Sequence, residues 1–119
     1  MSGQTEAGCI FCKLATKVIP AKTIAETDSS LTMHSVDPAA PTHVVVIPKD
    51  HYGTAADLAD KAPDVMADVM REACKAAAAL GLAAEGYRMV VDTSHSASQE
   101  MTHAQVHVMG GRNMNWPPG

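Results

Sequence analysis

Apolar positions recur along this chain with two different periods. Residues 103–109 (His-Ala-Gln-Val-His-Val-Met) alternate strictly, and successive side chains of a strand point to opposite faces. The spacing predicts a strand with Ala104, Val106 and Val108 in the core. His103, Gln105 and His107 then stand in a row on the other face, roughly 7 Å apart. Residues 43–47 are apolar after the first position and end at Pro48, as a buried strand would. Residues 23–26 and 31–36 read as two strands joined through Thr27-Asp28-Ser29-Ser30, whose side chains favour a turn. A further strand over 87–92 follows Gly86. The helical period appears at Met66, Val69, Met70, Ala73, Ala77 and Leu80, predicting a long helix over 62–80. Asp60 would be its N-cap, Pro63 would sit in its first turn, and Gly81 would stop it. Cys74, near this stripe, is expected to be a packed core thiol. A short helix over 9–17 would present Ile10, Leu14 and Val18 at helical spacing. Residues 1–8 read as a loose tail and 9–119 as one domain of the α+β class with a mostly antiparallel sheet.

Composition narrows the class without redirecting it. A chain of 119 residues, 46% hydrophobic and 18% charged, fits one soluble globular domain. Its longest apolar run falls far short of the roughly 20 residues that cross a bilayer, so no membrane association is expected. No basic-then-apolar leader is visible. The net charge of −4 argues against nonspecific binding of nucleic acid, which needs a basic face. Three cysteines, two of them in Cys9-x-x-Cys12, suit a reducing compartment better than a disulfide scaffold. The expected location is the cytoplasm, with the nucleus as a second site.

Two constellations carry candidate chemistry. The first is the polar row of the last strand. Catalysis there would need an imidazole with a free lone pair, yet the middle position is an amide. Glutamine's nitrogen lone pair is delocalised into its carbonyl, so Gln105 can hydrogen-bond a phosphate through its NH₂ but cannot attack phosphorus. The second is Cys9 and Cys12 at the start of a short helix, where thiolates are favoured for metal binding or redox work. A redox pair would want a strand–helix context of the thioredoxin type, which is absent. Two thiolates need two more ligands for tetrahedral zinc, and His51 with a second histidine would complete the set. His34 and His95 read as a strand residue and a solvated loop residue. The C-terminal Trp116-Pro117-Pro118-Gly119 is poor core material; it would anchor on a partner or fold back on its own subunit.

Five segments resemble one family. These are Asp37-Pro38-Ala39-Ala40-Pro41-Thr42-His43, Val46-Ile47-Pro48-Lys49-Asp50-His51, Gly86-Tyr87-Arg88-Met89-Val90-Val91, the 103–109 motif, and the terminus from Gly110 to Gly119. Together they are similar to the histidine-triad nucleotide-binding (HIT) proteins of the Hint branch, also called protein kinase C interacting proteins, over residues 9–119. The resemblance implies a HIT-like fold: a five-stranded antiparallel sheet with one long and one short helix, joined into a ten-stranded sheet in a homodimer. It implies that the middle triad position, here Gln105, is where relatives keep the histidine that attacks the α-phosphorus of a nucleotide conjugate. His107 is then the third triad residue, which positions phosphate and leaving group, His103 the first, and His43 the residue that orients the nucleophile. The ribose-binding Asp falls on Ser35, with Val36 beside it, and the Asn closing the preceding strand falls on Asp92. The family's Gly-Gly-Gln-Ser falls on Ala97-Ser98-Gln99-Glu100, placing Gln99 and Glu100 near the phosphate, where a carboxylate repels. Bacterial members imply a structural zinc on Cys9, Cys12, His51 and His103. Two functions are expected to compete: a homodimer binding a purine nucleotide such as AMP, or a protein partner, with impaired or lost catalysis; or an active hydrolase of nucleoside phosphoramidates (AMP-amine, AMP-lysine).

Overall fold

The computed structural model describes residues 5, 8–93 and 103–119. Its elements in chain order are α1 (Ile10–Ala15), β1 (Thr23–Glu26), β2 (Ser30–His34), β3 (Thr42–Pro48), α2 (Ala55–Lys61), α3 (Pro63–Ala79), β4 (Arg88–Val90) and β5 (Val106–Gly110). The strands form one antiparallel sheet of five in the order β1-β2-β3-β5-β4. This is the expected fold class, with α2 as an additional short helix.

Strand β3 lies at the centre, and its unbroken apolar run follows from being covered on both faces. Val44 and Val46 join Ala104, Val106 and Val108 beneath α3, which contributes Val69, Ala73, Ala76 and Ala77. Val45 and Ile47 face the other way with Leu31 and Met33, against Phe11, Leu14 and Ala15. The alanines of α3 let its backbone approach the sheet closely, as small side chains must. Gly81, at φ +80°, takes the left-handed conformation that terminates α3.

Several boundaries differ from expectation. Asp60 does not cap α3, because it lies inside α2; Ala62 ends one helix and begins the next without a side-chain cap. Pro63 is tolerated at the first position, where its missing N–H would have no helical partner. In α1 the sheet-facing residues are Phe11, Leu14 and Ala15, while Ile10 and Val18 are 50% and 70% exposed. The helix ends at Ala15, so the spacing that included Val18 has no helix to act on. Cys74 is exposed, hydrogen-bonded to Tyr87, because it falls one residue past the buried Ala73.

The turn between β1 and β2 is bound to α3. Thr27 and Ser29 donate their hydroxyls to Asp68 at 2.6 and 2.8 Å. Burial pushes the Asp68 carboxyl up, but hydrogen bonds from Thr27, Ser29 and Ser30 outweigh it and hold the group below its ordinary value.

Candidate functional site

The expected row of three polar side chains divides in two. Strand β5 begins only at Val106, so residues 103–105 precede the ladder. The amide of Ala104 donates to the Tyr52 carbonyl at 2.6 Å, laying this segment beside His51. His103, fully buried, therefore joins the cysteines, whereas His107 joins His43.

The first group is a candidate metal centre. The ligand atoms of Cys9, Cys12, His51 and His103 all lie within 4.8 Å of one another. Cys9 Sγ is 3.2 Å from His103 Nδ1, Cys12 Sγ is 3.3 Å from His51 Nδ1, and Cys12 Sγ is 3.6 Å from His103 Nδ1. A tetrahedron built on ordinary zinc–sulfur and zinc–nitrogen bonds has edges of about 3.6 Å, so these separations fit one ion. His103 Nε2–H donates to the Pro48 carbonyl at 2.9 Å, which leaves Nδ1 with a lone pair aimed at the thiols. Such a bond to a backbone oxygen is how ligating histidines are commonly oriented. Cys9 also caps α1, its sulfur accepting the Cys12 amide at 3.4 Å. The donor set can hold a metal ion.

The second group lies on one face of β3 and β5. The register pairs His43 with Met109 and Val45 with His107, and residues paired across a ladder share a face. His43 and His107 are thus diagonal neighbours, with ring centroids 5.1 Å apart and His43 Nε2 at 2.9 Å from His107 Nδ1. The Ala39 amide donates to His43 Nδ1 at 2.9 Å. Arg112 Nη2 in turn donates to the Ala39 carbonyl at 3.2 Å. Burial lowers the affinity of both imidazoles for a proton, and for His43 the neighbouring His107 adds to the effect. Asp37 opposes the shift at His43 and Asp92 opposes it at His107.

Other candidate residues are distributed around this pair. Gln105 is buried immediately before β5. Asp92 lies two residues past Val90, the β4 partner of His107. Ser35 Oγ accepts the Asp37 amide at 3.3 Å, so its hydroxyl caps its own turn, and Val36 is fully exposed. His34 is an exposed strand end. Gln99, Glu100 and His95 lie outside the described residues. Arg112 and the Ala39 peptide were not singled out in the sequence. A backbone amide leaves no trace in residue type, and Arg112 could be suspected only as a cation close behind the triad strand.

Arg88 Nη2 donates to the Asn115 carbonyl at 2.8 Å, tying the C-terminal tail to β4. Trp116 nevertheless remains 81% exposed. Its indole is not part of the core of its own chain.

This fold has close counterparts among known structures. It superposes with a TM-score of 0.90 on the crystal structure of a HIT family hydrolase from Legionella pneumophila, 40% identical, covering 94% of this chain and 100% of that one. A 14 kDa zinc-binding protein of Zea mays is 36% identical over 112 residues, 92% of this chain and 87% of that protein. The adenylylsulfatase HINT1 of Arabidopsis thaliana is 33% identical over 117 residues, 97% of this chain and 79% of that protein. The HIT domain model matches residues 16–114. The chain belongs to the HIT-domain family.

Proposed function

We propose that this chain is a Hint-like protein that binds a purine nucleotide such as AMP, or a protein partner, with its phosphorus chemistry lost or strongly impaired. Gln105 carries this reading. The position where relatives keep an attacking imidazole holds an amide, and losing a covalent nucleophile costs about 10⁴ to 10⁶ in turnover in well-studied hydrolases. Binding has more support than chemistry, because the amide NH₂ and the neutral His43–His107 pair still offer hydrogen bonds to an oxyanion. The proposed nucleotide contacts are Gln105, His107, Ser35, Val36, Asp92, Gln99 and Glu100. Asp92 faces His107, and the resemblance implies the same neighbourhood for Glu100; carboxylates there would oppose a phosphate.

A second reading is favoured by the hydrolase and adenylylsulfatase names of relatives: an active nucleoside phosphoramidate hydrolase with an altered mechanism. Turnover of an adenosine phosphoramidate by the wild type and by Gln105→His separates the two. The first reading expects negligible wild-type turnover and a gain of orders of magnitude in the variant; brisk wild-type hydrolysis would reject it. Calorimetry with AMP tests the binding claim, which fails if affinity is absent or only millimolar.

We also propose structural zinc on Cys9, Cys12, His51 and His103, supported by the donor geometry and by the zinc-binding relative. A homodimer is supported by the exposed Trp116, which suits a partner surface.

A further inference from the structure

The Ala39 amide carries its proton permanently, and this fixes every proton in the chain of hydrogen bonds that follows it. His43 Nδ1 faces that N–H at 2.9 Å, so it must present a lone pair. The proton of neutral His43 is then on Nε2, which points at His107 Nδ1, 2.9 Å away. His107 Nδ1 must accept, which leaves the His107 proton on Nε2. An imidazole can attack phosphorus or remove a proton only through a nitrogen that bears a lone pair. We infer that Arg112, the Ala39 peptide and His43 act together as positioning groups that lock His107 in the Nε2–H tautomer, so that it cannot take over the role missing at Gln105. The inference rests on the reading of this face as the family pocket, and it says why a neighbouring histidine does not restore the chemistry there.

The geometry opposes each way out of the lock. Moving the His43 proton to Nδ1 sets two N–H groups head to head at Ala39. Adding a proton to His107 Nδ1 does the same between the two rings. Arg112 stabilises the starting point by holding the Ala39 carbonyl at 3.2 Å, which keeps the peptide in register with His43. Among the described residues, the charged groups facing the pair are Asp37 beside His43 and Asp92 beside His107. Both would favour a cation, yet burial prevails and the rings favour the neutral state the lock requires.

Two-bond proton–nitrogen correlation spectra of the ¹⁵N-labelled full chain report which ring nitrogen is protonated. The expected result is that both His43 and His107 carry the proton on Nε2 at neutral pH. A His107 with its proton on Nδ1, or an even mixture of tautomers, overturns the inference. Ala39→Pro removes the amide proton and should convert His107 to a mixture, as should His43→Phe. His43→Gln, which keeps an N–H donor, should preserve the Nε2–H form. Unchanged His107 tautomers in both Ala39→Pro and His43→Phe would overturn the assignment to these groups. If either variant fails to fold, the wild-type spectrum alone decides. The same sample titrated with AMP separates the two claims: no binding defeats the nucleotide reading and leaves the tautomer result standing.

Discussion

At the scale of single residues, the site is governed by which nitrogen holds a proton. The His43 and His107 pair is buried against charge, and both rings bind protons less readily than a free histidine. In the unfolded chain each would take up a proton near pH 6.5. Between that value and the lower folded-state values, the unfolded state therefore binds more protons, so acid favours unfolding. Stability is expected to fall as pH drops through about 6.5 and to level off once the folded pair also becomes protonated. Denaturant midpoints measured across this range should show that loss. The loss should be smaller in the double variant His43→Phe, His107→Phe; an equal pH slope in the two proteins would assign it elsewhere. Gln105 has no such titration, so Gln105→His should add a new ionisation along with any gain of turnover.

At the scale of elements, two contacts fix how helix and sheet meet. Asp68 of α3 receives the Thr27 and Ser29 hydroxyls, and Asp68→Ala would leave them without that acceptor. A loss of about 1–3 kcal/mol is expected in urea unfolding. Gly110 closes β5 where a Cβ would lie 2.9 Å from both Leu82 methyls. Leu82 is buried, so Gly110→Ala should force it to shift, at a cost of about 1–3 kcal/mol. Neither contact was legible in the sequence, because each joins residues that periodicity cannot relate. What periodicity did reveal was the face of α3 and the core alternation of Ala104, Val106 and Val108, since both depend on local spacing alone. It overestimated the length of this strand, because the alternation begins at His103 whereas the ladder starts three residues later at Val106. It missed α2 because that helix buries only Leu58, too little for a stripe. The capping role given to Asp60 failed for the same reason.

At the scale of the whole molecule, α1 is joined to the sheet by one small apolar cluster and by the cysteine–histidine group. Zinc binding there would couple directly to folding. Purified protein is expected to carry one zinc per chain, and Cys12→Ser to carry much less. Chelation should lower the melting temperature; a melt indifferent to both chelator and Cys12→Ser would remove zinc from the account. If Trp116 anchors a second copy, Trp116→Ala should weaken self-association in sedimentation experiments, by about tenfold or more for a central aromatic anchor. Equal dissociation constants for the two proteins would place the anchor elsewhere.

Cys9 and His103 are 94 residues apart in the chain, and this separation governs events on the ribosome. Synthesis proceeds at about 5–20 residues per second, so the amino-terminal thiols emerge seconds before their imidazole partner is made. During that interval the thiols lack the enclosure of the finished fold, in which Cys9 and Cys12 are both buried. If the site holds zinc, translation speed as well as the affinity of the finished fold would set how far competing ions reach it.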